Sequence, residues 1–269
     1  MQVHSLKAYL LVAKHTWDEY VVYRLNFAMW RIRNVLQLLT TYFLWFIVMP
    51  QNGSLLGYTR SMMLTYVLLS DLFSSVVLSS LTGEVGDEIN KGDLSNYLLK
   101  PINYFVYWFF RDVGDKLMNI SFAIPELIVF LLVLRPPFFV QTNILILLTT
   151  AFVLLEAVIL YFFINFLLGL IGFWSSEVWA PRFILFMVLT FFSGGIFPLD
   201  ILPKPVFDVF QLLPFTYLLF FPLKVYLGSL SVTGVLSGIT ISLVWIGILF
   251  MGLQNVWRKG LRVYTAQGK

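Results

Sequence analysis

The stretch GDEINKGDLSNYLLKP, residues Gly86 to Pro101, is a polar island in a chain that is otherwise mostly apolar. It holds three acids (Asp87, Glu88 and Asp93), two lysines (Lys91 and Lys100) and an internal glycine, with Leu94, Tyr97 and Leu98 at helical spacing. The pattern predicts a helix from Glu84 to Lys91, stopped by Gly92 in a left-handed cap. A second short helix follows, capped by Asp93 and ended by Pro101. The product is a bent knuckle, charged on one side and apolar on the other. Apolar residues ringed by charge mark a docking surface, although the same face also serves a segment that merely packs on its own helices.

The surroundings say where such a knuckle sits. The 269 residues are 59% hydrophobic and 12% charged, against roughly 45–50% and 25% in soluble domains. That composition belongs to a membrane protein, and the 27 Phe, 13 Tyr and 8 Trp suit bilayer interfaces or an apolar cavity. With no cysteine and only His4 and His15, thiolate chemistry and histidine-rich metal sites are excluded. The net charge of +4 is small and spread along the chain, so it reads as membrane topology and not as nucleic-acid binding.

The first 24 residues are too polar for a signal peptide. Leu6, Tyr9, Leu10, Ala13, Trp17, Tyr20 and Val21 fall on one helical face, which is expected to lie flat on the membrane, Lys7 and Lys14 reaching toward headgroups. Six apolar segments follow, at about 28–49, 61–81, 117–134, 144–173, 183–199 and 232–256. Arg31, Arg33 and Asn34 shorten the apolar part of the first, the arginines snorkelling. The fourth exceeds the roughly 20 residues a bilayer needs, so it is expected to bend near Gly169 or Gly172 or to project into the cytoplasm.

With the N-terminus inside, the inner segments carry Lys7, Lys14, Arg24, Arg31, Arg33, Lys91, Lys100, Arg111, Lys116, Arg182, Arg258, Lys259, Arg262 and Lys269, and the outer ones only Arg60, Arg135, Lys204 and Lys224. This asymmetry predicts that both termini, and the knuckle, are cytoplasmic. Between the fifth and sixth spans, GGIFPLDILPKPVFDVFQLLPFTYLLFFPLKVYLG (194–228) is apolar but repeatedly broken by proline. Short helices dipping partway into the outer leaflet fit it, provided protein covers their loose backbone groups.

The knuckle, FWSSE (173–177), SGGIFPLDILP (193–203), LPF (213–215), PLKVYLG (222–228) and WRKGLRVY (257–264) together resemble the permease subunits of ABC-2 type exporters. The nearest resemblance is to the branch often encoded as paired permeases beside one ATPase. It covers nearly the whole chain in order, departing in the polar start of the first span. It implies an all-α integral membrane fold: six transmembrane helices in a single permease domain over 1–269, with an N-terminal interfacial connecting helix (1–24), a cytoplasmic coupling helix after the second span (84–101) and a re-entrant hairpin before the sixth (194–229). It also implies a bacterial plasma (inner) membrane location, two cytoplasmic ATPase subunits that bind ATP and Mg, and a second permease, paralogous or identical. The chain itself has no G-x-x-x-x-G-K-[ST] loop to cradle phosphates and is expected to bind no cofactor and to catalyse nothing alone. On this reading Asp87, Glu88, Lys91, Asp93, Leu94, Tyr97 and Leu98 couple to the ATPase, with Leu94 and Tyr97 central.

Asp71, Glu126 and Glu156 fall inside the second, third and fourth predicted spans. Intramembrane carboxylates are functional candidates by default, here for the translocation path, unless they are protonated or paired with Arg31 or Arg33. In WSSEVWAP (174–181), Glu177 either contacts the ATPase or caps a helix. Gly194, Gly195 and Pro198 permit a sharp outer turn and are gate candidates. A lipophilic, drug-like or glycan cargo suits the aromatic content. The alternatives are an ion-coupled secondary transporter using Asp71 and Glu126, disfavoured by the lack of internal repeats, and a membrane-embedded enzyme, disfavoured because the acids form no catalytic constellation.

Overall fold

The computed structural model describes residues 6–22 and 24–265. The placements of His4 and Lys269, and those of the Val21 and Arg24 side chains, lie outside the described residues. The chain is an all-α membrane protein whose elements run α1 (Leu6–Val22), α2 (Arg24–Val48), a hairpin of β1 (Ser54–Leu55) and β2 (Tyr58–Thr59), α3 (Arg60–Val77), α4 (Glu84–Lys91), α5 (Leu94–Leu98), α6 (Tyr104–Leu134), α7 (Ile144–Gly169), α8 (Trp179–Phe192), α9 (Lys204–Phe210), α10 (Phe220–Tyr226) and α11 (Val232–Val263). The antiparallel hairpin pairs Ser54 with Thr59 and Leu55 with Tyr58.

Local chemistry fixes the starts of four of the longer helices. Thr59, Asn103, Asn143 and Ser231 sit at the first caps of α3, α6, α7 and α11, each side chain accepting a bond from an otherwise unpaired amide. Three helical runs among the described residues are long and apolar enough to cross a bilayer: 104–134, 144–173 and 232–263. Three expected spans differ by more than a few residues from their predicted bounds, the sixth because its helix runs on to Val263 and not 256. The helix of the third begins at Tyr104 and not 117, because Asn103 caps it there and its aromatic first turns pack on protein. The fifth ends at Phe192, not 199, since Gly194 turns at φ 82° and the Ser193 carbonyl accepts from the Phe220 amide at 2.8 Å. At 14 residues, α8 is about 21 Å long, shorter than the ~30 Å of hydrocarbon.

The apolar face read on α1 divides. Tyr9 and Ala13 are buried against α6, with Tyr9 stacked on Phe110 and Tyr20 donating to Asp115, while Leu6, Leu10 and Trp17 stay exposed. Helical periodicity reports a face but not how two neighbours, protein and lipid, share it. Between α8 and α11 the chain breaks as its prolines require: α9 and the run 214–226 meet at 80°. Leu218, Leu219, Phe220, Phe221 and Leu223 are buried in the main core with α2, α3 and α7, so protein covers this irregular backbone.

A second core lies at the opposite end. Val85, Ile89 and Leu94 of the knuckle pack on Tyr104, Trp108, Phe162, Phe166 and Phe173. The fourth apolar segment tightens after Gly169 into a 3₁₀ turn over 170–173, where its glycines were expected to bend it. At that turn α4 comes into direct backbone contact: a Cβ on Gly172 would stand 2.7 Å from the Gly86 carbonyl, and one on Gly86 would stand 2.9 Å from Val178. Replacing Gly172 by Ala is therefore expected to unseat α4 and destabilise the chain by about 1–3 kcal/mol, as overpacking does. A lowered thermal midpoint in detergent, with faster amide exchange across 84–91, is the expected result, and an unchanged midpoint would mean that α4 is not held there.

Candidate coupling surface and membrane cavity

The knuckle is built as its sequence indicates, with one correction. Gly92 ends α4 at φ 81°, the left-handed cap. Asp93, however, is itself in the right-handed helical region and makes no side-chain cap bond, so it does not cap α5. The Gly92 carbonyl is taken by the hydroxyls of Tyr264 (2.6 Å) and Ser95 (2.7 Å), and Tyr264 accepts from the Ser95 amide at 2.9 Å. Tyr264, just past α11, thus does the work assigned to Asp93. Sequence reasoning missed it, because nothing local ties residues 92 and 264.

Leu94 also departs from expectation. It is 0% exposed, locked in the inner aromatic core, and cannot meet a partner. Tyr97 is half-buried over Tyr104 and Tyr107. Its hydroxyl donates to Glu88 at 3.1 Å, and Tyr104 donates to the other oxygen of the same carboxylate at 2.6 Å. The outward apolar residues are Leu98, at 46% exposure, and its neighbour Leu99, at 88%. Lys91, Asp93 and Lys100 are exposed around them.

Three contacts tie α4 to the start of α8. Asp87 pairs with Arg182 at 3.4 Å, Asn90 donates to the Ser176 carbonyl at 3.1 Å, and Gly86 abuts Val178. Glu177 accepts from the Trp179 amide at 3.0 Å, the capping use of that acid. A displacement of the knuckle is therefore felt directly by α8.

Further along the same face of α8 lies a cavity of about 280 Å³. Arg33, Asn34, Gln37 and Thr41 of α2 and Ser70, Asp71, Ser74 and Ser75 of α3 line it, with Tyr161 of α7 and Phe186, Leu189 and Thr190 of α8. A second hollow, beside Glu84 and Arg182, shares Tyr161, Phe186 and Leu189 with the first. Together they run along α8 from the knuckle to Gly195 and Ile196.

The structure separates the three membrane acids. Glu126 is held by Arg31, whose Nε donates at 2.8 Å while Nη2 bonds the second oxygen, so this pair is structural. Glu156 is buried between α7 and α11 and accepts from Ser242 at 2.7 Å, away from the cavity lining. Asp71 alone lines the cavity, and its carboxylate has no hydrogen-bond or ion-pair partner among the described residues. Gly194 and Gly195 lie at the end of the cavity away from the knuckle, their carbonyls accepting from Tyr66 (2.6 Å) and Ser70 (2.7 Å), with Pro198 buried behind them. Beyond lies a network that sequence reasoning missed: Lys224 donates to Asp200 at 2.8 Å and to Tyr58 at 3.0 Å, and Tyr58 donates to Asp200 at 2.8 Å. It fastens the β-hairpin to both halves of the 194–228 segment.

Two expectations follow from this geometry. Leu94→Asp buries a charge in the aromatic core and is expected to lower folded yield sharply, while Leu99→Asp leaves yield and thermal midpoint unchanged; equal behaviour of the two would contradict the assigned burial. Burial raises the Glu88 carboxyl above its ordinary range, and the hydrogen bonds from Tyr104 and Tyr97 pull it partly back. A raised acid binds its proton more tightly when folded, so the knuckle gains stability as pH falls from neutral toward the ordinary carboxyl range near 4.5. Protection factors across 94–98, corrected for the intrinsic pH dependence of exchange, should accordingly rise on acidification, and Glu88→Gln should flatten that rise.

A comparison with curated proteins returns no match. A protein-family model described as ABC-2 family transporter protein matches residues 35–268, which takes in every element from the body of α2 onward. With an apolar helical bundle, a cavity within it and a knuckle built into its end, the chain belongs to the ABC-2 family of transporter proteins, as a membrane-embedded permease subunit of an ABC transporter.

Proposed function

We propose that the chain is one of two permease subunits of an ATP-driven exporter in the bacterial inner membrane, with α2, α3, α6, α7, α8 and α11 crossing and both termini cytoplasmic. Permeases of this family generally work with an ATPase subunit. Two such subunits, holding ATP and Mg, would dock on the knuckle, and 194–228 would form the outer re-entrant closure. The single domain spans 1–269, with α1 as the connecting helix on the inner surface. The cargo is amphiphilic, one end in the cavity and one along the exposed apolar helices.

One observation carries this reading: an exposed Leu98–Leu99 tip on a knuckle whose other face is bonded to α8, the wall of the cavity. Force applied at the tip passes through Asp87–Arg182, Asn90–Ser176 and Gly86–Val178 to α8. Closure of an ATPase dimer would then move α8 as a nearly rigid rod between inward-open and outward-open arrangements. The unpaired Asp71 also suits an ion-coupled transporter, which needs no ATPase.

The test is a mild-detergent pull-down of the tagged chain from its native membrane, with mass spectrometry of what is retained. An ATPase with a phosphate-loop motif should co-purify, and Leu98→Asp with Leu99→Asp should release it without changing membrane insertion or thermal midpoint. Retention of no ATPase by a folded chain would replace this reading with the ion-coupled one.

A further inference from the structure

The cavity between α2, α3 and α8 has one acid and one base on its wall, Asp71 and Arg33, and neither has a hydrogen bond or ion pair among the described residues. The two remaining charges nearby, Arg31 and Glu126, neutralise each other in a bidentate pair close enough to act on Asp71 through space. The four charges sum to zero. The local field therefore favours neither a bare cation nor a bare anion, while the two unpaired charges, Asp71 partly buried and Arg33 exposed, each lack a partner of opposite sign. Hydroxyls and amides fill the space between them, with Asn34, Gln37, Ser70 and Ser74 offering both donors and acceptors. At about 280 Å³ the cavity holds a headgroup and not a whole amphiphile.

We propose that this cavity receives a zwitterionic headgroup, its ammonium on Asp71 and its carboxylate or phosphate on Arg33. The inference deepens the permease reading by naming the cargo class, and its binding test is independent of the ATPase. The shared chemistry belongs equally to a zwitterionic lipid and to a soluble amphiphile that carries an amine and an acid.

The purified full chain in nanodiscs of phosphatidylglycerol is titrated with radiolabelled N-dodecylglycine, dodecylammonium and laurate, protein-free nanodiscs giving the partition background. The wild-type chain should bind N-dodecylglycine most tightly. Asp71→Asn should weaken N-dodecylglycine and dodecylammonium by about tenfold and spare laurate, while Arg33→Gln should weaken N-dodecylglycine and laurate and spare dodecylammonium, as the loss of one charge-assisted contact predicts. Asp71→Glu, which keeps the charge, should keep the ammonium affinity and so separates recognition from misfolding. Competition by added phosphatidylethanolamine assigns the site to a lipid, and its absence to a soluble amphiphile. Equal affinities for all three probes, or an Asp71→Asn chain that binds them as the wild type does, would overturn the inference. ATPase capture without the preference sinks this inference alone; the preference without ATPase capture leaves it standing and sinks the exporter reading.

Discussion

Where the backbone of Gly86 lies against that of Gly172, no side chain fits between the knuckle and the end of α7. Much of the inner half of the molecule depends on that contact. It lets Val85 and Ile89 reach the aromatic core, sets Asp87 and Asn90 opposite the α8 start, and turns Leu98 and Leu99 outward. A bulkier residue at either position would hold α4 away from its seat, and the links to α8 would lengthen together. The seat of the knuckle is thus fixed by an absence of atoms, which tolerates substitution less well than a flexible side-chain contact does.

The rest of the bundle follows the rule that polar groups in hydrocarbon find partners within the protein. Arg31 with Glu126 joins α2 to α6, Ser242 with Glu156 joins α11 to α7, and Lys224 with Asp200 and Tyr58 closes the outer segment. Each offsets part of the penalty of burying a charge or polar group and joins two elements, with Arg31 Nη1 and Glu156 Oε1 left without a hydrogen-bond partner among the described residues. Asp71 stands apart because its neighbours leave it free on a cavity wall.

How far the chain could be read in advance follows the range of the signals. The Glu84–Lys91 helix, its Gly92 cap and the break of the fourth segment near Gly169 were legible, because each is set by residues within a turn. The broken character of 194–228 was legible from its prolines. The burial of Leu94 was not: an apolar face on a short helix looks the same whether it meets a partner or its own core, and only the aromatic residues of α6 and α7 decide between them. Nor did the sequence distinguish Asp71 from Glu126 and Glu156, since all three are acids in apolar runs. The difference lies in Arg31 and Ser242, which are distant in the chain and near in space.

The bond from Tyr264 to the Gly92 carbonyl spans 172 residues. The elbow of the knuckle is therefore unfinished until α11 has formed and residue 264 has come back beside residue 92. A chain halted before that step presents Leu98 and Leu99 on a loosely held segment. This one hydroxyl thus ties the shape of the elbow to completion of the last helix.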